Sequence, residues 1–145
     1  MKINRYILYF LLSILMVVLA GCGGSEPETA ALESSNSSIE PPAEYAGKSI
    51  PNNSDPIAGE ETFQIYCASC HGERGLGDGV AAASLDPHPQ NLAENQKNLS
   101  DAYLFWRIAE GGMMEPFSSA MPSWKGILSD DQIWNIVSFI RTLSG

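Results

Sequence analysis

Five consecutive residues, Cys67-Ala68-Ser69-Cys70-His71, constrain this chain more than any other stretch. Two thiols separated by two residues, followed at once by an imidazole, form the arrangement that attaches haem covalently. The order has a stereochemical reason. A two-residue spacer lets both sulfurs add across neighbouring vinyl groups of one porphyrin, and the next side chain then lies beneath the ring and meets the iron. Cys67 and Cys70 are therefore expected to form thioether links, and His71 to be an axial iron ligand.

Other chemistries suit the same residues less well. A structural zinc site needs four ligands converging from separate turns. Beyond the motif the chain has one further histidine, His88, and adjacent Cys70 and His71 strain shared tetrahedral coordination. A redox-active Cys-x-x-Cys belongs on a βαβ background, whereas the flanking sequence reads helical. Gly75-Leu76-Gly77-Asp78-Gly79 is no phosphate loop, because no strand precedes it and no Gly-Lys-Ser/Thr follows. It reads as a flexible turn. No nucleophile–base pair stands out, so an enzyme is not expected.

The third cysteine, Cys22, has a separate setting. Lys2 and Arg5 precede an apolar run from Ile7 to Ala20, which ends Leu19-Ala20-Gly21-Cys22. A charged start, a short apolar centre and small residues before the cut describe an export signal over residues 1–21. The run falls short of the ~20 apolar residues a membrane span needs. Leu-Ala-Gly-Cys resembles the lipobox of bacterial lipoproteins. That resemblance implies cleavage before Cys22 and its lipidation, with the domain held on the extracytoplasmic face of a membrane, on the periplasmic side or at the cell surface. The several acyl chains it implies hold far more firmly than one.

Loss of residues 1–21 removes Lys2 and Arg5 and no acid, moving the formal charge from −9 by two units to −11. Phosphate binding requires clustered Lys and Arg, so nucleic acid is not an expected partner. An acidic surface suits a partner with a basic docking face, or simply solubility.

Residues 22–55 are small, polar, acidic and proline-rich, with no sustained apolar period, and predict a disordered tether behind the lipidated cysteine. A flexible coil of this length spans ~30 Å. The folded domain is expected from 56 to 145. Its core is modest on its own, so the cofactor should contribute to stability. The pattern is all-α, with three helices. The first runs from about Pro56 to Cys67. The second follows Ser100 as N-cap and ends at Gly111-Gly112, with Leu104 and Ile108 sharing a face. The third starts at the Ser129-Asp130-Asp131-Gln132 capping box and carries Ile133, Ile136, Val137, Ile140 and Leu143 as an apolar stripe.

A low-spin electron carrier needs a second axial ligand. Met121 precedes Pro122, which restricts it to extended conformations and stiffens the loop. It is the expected sixth ligand, and a thioether paired with histidine raises the reduction potential. Met113, Met114 and His88 are the alternatives, the last in a turn between prolines. Trp106, Trp124, Phe105 and Phe117 are candidate walls of the pocket.

Taken together, residues 56–145 resemble a class I mono-haem cytochrome c. Besides the haem motif and the Met-Pro loop, Gly59 and Phe63 stand eight and four residues before Cys67, as in that family. The resemblance implies one covalent haem c and a crossing of the first and last helices, with Gly59 near Ile136 and Phe139. Many members place a proline after the motif whose carbonyl accepts from the proximal histidine; here the matching position is Val80, which leaves the partner of His71 open.

The expected function is one-electron transfer by a lipid-tethered mono-haem cytochrome c of a respiratory or photosynthetic chain. Its partners would be a quinol-oxidising complex on one side and an oxidase, reductase or reaction centre on the other. An alternative is a fixed haem subunit, since Gly111–Phe117 and Met121-Pro122-Ser123-Trp124 resemble the mono-haem lipoprotein subunit of alternative complex III. A haem enzyme or gas sensor would need an open sixth position, against which Met121-Pro122 argues.

Overall fold

The longer described helices start at side chains that take over unsatisfied backbone N–H groups. In the computed structural model, which describes residues 39–144, α1 spans Pro56–Tyr66. Asp55 caps it, accepting from the N–H of Ile57 at 2.9 Å and of Ala58 at 3.4 Å. A single further turn, α2 (Ala68–His71), carries the haem motif. After it come short 3-10 turns at Ala82–Ser84 and Gln96–Asn98 and one more helical turn, α3 (Leu92–Asn95). α4 (Asp101–Glu110) starts at Ser100, whose hydroxyl accepts from Tyr103 at 3.1 Å. α5 (Asp130–Thr142) closes the Ser129–Gln132 capping box in both directions, at 3.3 and 2.9 Å. Among the described residues there is no strand beyond one isolated bridge, Lys125 to Leu128, so the fold is all-α as expected. No described helix is long and apolar enough to cross a membrane.

The core forms where three faces meet. α5 buries Ile133, Ile136, Val137 and Ile140, and α4 buries Leu104, Phe105 and Ile108. α1 is mostly exposed and buries only Gly59 and Phe63. It crosses α5 at Gly59, where a Cβ would lie 1.9 Å from the Asn135 carbonyl oxygen and 3.0 Å from the Ile136 nitrogen. The crossing is therefore backbone on backbone. Asn135 also accepts the Asp55 N–H at 2.8 Å through Oδ1, tying the start of α1 to α5.

Arg141 fastens the far end. Its guanidinium bonds Asp101 at 2.7 and 2.9 Å, the Leu99 carbonyl at 2.7 Å, the buried Gln96 side chain at 3.0 Å and the Gln96 carbonyl. One planar donor set thus joins the end of α5 to the start of α4.

The signal, Cys22 and residues up to 38 lie outside the described residues. The rest of the expected tether does not hang free, which corrects the boundary at residue 55. Residues 39–55 lie along the domain, with Ile39 and Ile50 against the core and Tyr45 only 4% exposed. Tyr45 packs on Phe105 with ring centroids 6.0 Å apart, and its hydroxyl donates to Glu110. Lys125 pairs with the same carboxylate at 2.9 Å and reaches the Tyr45 oxygen at 3.4 Å. The Tyr45 hydroxyl, and then Lys125, hold the Glu110 carboxyl below its ordinary value.

Candidate haem site

The five-residue motif sits where α1 ends and α2 begins, so one and a half helical turns present all three of its reactive groups. The Cys67 N–H bonds the Phe63 carbonyl at 2.8 Å and the His71 N–H bonds the Cys67 carbonyl at 2.9 Å. Both cysteine side chains are half-buried. Burial, and secondly the neighbouring Cys70, push the Cys67 thiol up to about 12.

The glycine-rich segment after the motif is packed rather than loose. The N–H groups of Gly77, Gly79 and Ala81 bond the carbonyls of His71, Cys70 and Ser69 at 2.8, 3.3 and 2.9 Å. They satisfy the unpaired end of α2. A Cβ on Gly77 would fall 2.4 Å from the Pro89 carbonyl oxygen, so the 86–92 loop folds over the motif only because this position is glycine.

That loop explains the surroundings of His71. Its Nδ1 is buried without a hydrogen-bond partner. Burial lowers the imidazole's pKa, and the Gln90 backbone acts more weakly in the opposite sense. Because a raising effect requires an acceptor, the group is the Gln90 carbonyl, close to the ring but short of a formed hydrogen bond. Val80, the position matched from sequence, is 97% exposed and takes no part. The Phe63 ring lies against His71 at 6.5 Å and against Phe139 at 5.2 Å.

Cys67, Cys70 and His71 open into a cleft of about 280 Å³ that Met121, Pro122 and Trp124 also line. Leu104 and Ile108 of α4, and Ile136 and Ile140 of α5, form its apolar floor. Met121 is brought there by an unusual C-terminus. α4 ends at Gly111, φ +75°, where a Cβ would meet the Pro122 carbonyl carbon at 2.5 Å. Beyond it the 121–125 segment runs back along the helix end. Gly112 N–H bonds the Met121 carbonyl at 2.8 Å, Trp124 N–H bonds the Ile108 carbonyl at 3.2 Å, and Lys125 N–H and the Ser123 hydroxyl bond Ala109 at 2.9 and 2.6 Å. Carbonyls that a helix end leaves unpaired thus hold the methionine loop.

Met113 is 76% exposed, Met114 is 38% exposed, and neither lines the cleft. His88 reaches the rim but is exposed, with Nδ1 3.0 Å from the neighbouring Pro89 oxygen. Of the four aromatic walls expected, Trp124 and Phe117 line the cleft. Phe105 and Trp106 do not: Phe105 stacks on Trp134 at 4.4 Å, and Trp106 packs behind Tyr103 and Phe117. Tyr66, edge-on to Trp124 at 5.2 Å, Tyr103 and Arg107 are wall residues that sequence reasoning missed. Arg107 lies 3.4 Å over the Phe117 ring and donates to the Gly111 carbonyl at 2.6 Å.

The residues fit a covalently bound haem. Two thiols share one helical corner, and the adjacent imidazole and a thioether line the same apolar cleft. Fold and site together define a class I cytochrome c with a single haem c. Residues 54–140 match the family described as cytochrome c oxidase, cbb3-type, subunit III, and the chain belongs to that family. It is similar to the cytochrome c subunit of a quinone-type alcohol dehydrogenase from Gluconacetobacter polyoxogenes, 33% identical over 64% of this chain, a match spanning 20% of that subunit's length. It is also 33% identical to cytochrome c6 of Leptolyngbya boryana, over 59% of this chain and 89% of that protein. Among solved structures, cytochrome cL of Methylophaga aminisulfidivorans is 26% identical over 60% of this chain and 53% of its own, with a TM-score of 0.45.

Proposed function

We propose that this protein is a one-electron carrier held at the extracytoplasmic face of a bacterial membrane by lipid on Cys22. The observation that carries the reading is the convergence of Cys67, Cys70, His71 and Met121 on one apolar cleft. When bound, the haem supplies one centre that gains and loses a single electron. Cys67 and Cys70 hold it through thioether links. With Nδ1 buried in protein, Nε2 of His71 would be the nitrogen left for iron. Met121, lining the same cleft, would supply a thioether as the second protein ligand, which suits electron transfer rather than substrate binding. Tyr66, 39% exposed, and Trp124 stand at the cleft wall where a redox partner can approach.

The acidic charge favours a donor and an acceptor with basic docking faces. A quinol-oxidising complex suits the first role, and an oxidase, reductase or reaction centre the second. A fixed haem subunit is the second reading, supported by relatives named as the cytochrome c subunit of a dehydrogenase.

Potentiometric titration of membrane and soluble fractions tests the proposal. The native protein should give a reversible one-electron haem signal in the membrane fraction, and mass spectrometry of that protein should find Cys22 as a lipid-modified N-terminal residue. An unmodified Cys22, or a chain still carrying residues 1–21, contradicts lipid tethering. Release of the native protein alone by mild detergent favours the mobile carrier, and co-extraction with a larger complex favours the fixed subunit.

A further inference from the structure

The family match begins at residue 54, yet the structure fastens an earlier segment to the loop that carries Met121. The 121–125 segment is bonded along the end of α4 at Ile108, Ala109 and Gly112. The outer end of this pairing is closed by side chains, the Lys125–Glu110 ion pair at 2.9 Å. Tyr45 reaches both partners, donating to Glu110 and lying 3.4 Å from Lys125 Nζ. It is 4% exposed and backed by Phe105. Two further bonds rigidify its own turn, from the Tyr45 and Ala46 N–H groups to the Pro42 carbonyl at 2.8 and 3.0 Å.

We propose that residues 39–50 are a working part of the haem site, with Tyr45 acting through Glu110 and Lys125 as a positioning residue for Met121. This rests on the reading of Met121 as the sixth ligand. A thioether on a loop stays on the iron to the extent that swinging the loop out is costly, and each contact fastening the loop raises that cost. Lys125 is exposed, so its ion pair alone adds little. The buried tyrosine gives it a fixed anchor. A domain cut at the start of the family match would keep Cys67, Cys70, His71 and Met121 but lose this fastening.

Imidazole binding to the ferric, haem-loaded, full-length protein provides the test, because imidazole competes with Met121 for the iron. Tyr45→Phe keeps the ring on Phe105 and deletes only the hydroxyl. It should lower the imidazole Kd at least about threefold, the low end of what losing one ordinary hydrogen bond does. Arg141→Gln, which loosens the fold at the Gln96–Asp101 end, should leave that Kd unchanged despite reduced thermal stability. An unchanged Kd in Tyr45→Phe, or an equal drop in Arg141→Gln, overturns the proposal. Met121→Ala separates the underlying reading: if it binds imidazole no more tightly than the native protein, the ligand assignment fails and the proposal with it.

Discussion

Met121→Ala should convert a low-spin ferric haem to one that takes up water or added ligand, and should lower its reduction potential. A thioether is a weak donor that favours the reduced iron, and axial ligation commands a range of roughly 0.8 V across haem proteins. Loss of this one side chain is therefore expected to move the potential by a sizeable part of that range. Met113→Ala is the matched control, because Met113 is 76% exposed and lies outside the cleft. It should leave spectrum and potential unchanged. Optical spectra of the ferric form with a potentiometric titration read both quantities. Native-like values for Met121→Ala would show that the sixth ligand comes from elsewhere.

Gly59→Ala should destabilise the holoprotein, against the sign that helix propensity alone would give. Alanine in place of glycine favours a helix by about 1 kcal/mol. The added Cβ, however, would lie 1.9 Å from the Asn135 carbonyl oxygen and 2.4 Å from its carbon. Overpacking typically costs about 1–3 kcal/mol, and here the obstacle is backbone in the middle of α5, which has no rotamer to change. The clash wins: at the upper end of that range, where an immovable backbone obstacle belongs, the net loss is about 2 kcal/mol, equivalent to a fall of about 10 °C in Tm for a domain of this size. α1 leads directly into the haem motif, so any shift at the crossing is passed on to Cys67 and His71. Thermal unfolding of the haem-loaded variant checks this, and a Tm equal to or above the native value contradicts it.

Local chemistry made most of the frame legible in advance. The caps at Ser100 and Ser129 are short-range patterns, the haem motif is contiguous, and the stripe on α5 repeats at the helical period. Gly59 was also readable, because a glycine inside a helix is costly unless a contact requires it. The failures share a different origin. Tyr45 is a single aromatic in a polar, proline-rich stretch, and no periodicity marks a residue whose partners, Phe105 and Glu110, lie some sixty positions away. Gln90 replaces Val80 beside His71 because the 86–92 loop folds back over the glycine segment, a closure that spacing from the motif does not encode. Phe105 and Trp106 were a missed deduction. Leu104 and Ile108 face the cleft, and at about 100° per residue the next two positions turn away from it.

Covalent attachment at the two motif thiols is the claim on which the ligands, the potential and the carrier role all depend. Mass spectrometry of the protein matured in its native host measures it directly. The account predicts that the peptide containing residues 67–71 carries one haem through thioether bonds at both Cys67 and Cys70. Two unmodified thiols at those positions in the mature protein would contradict it.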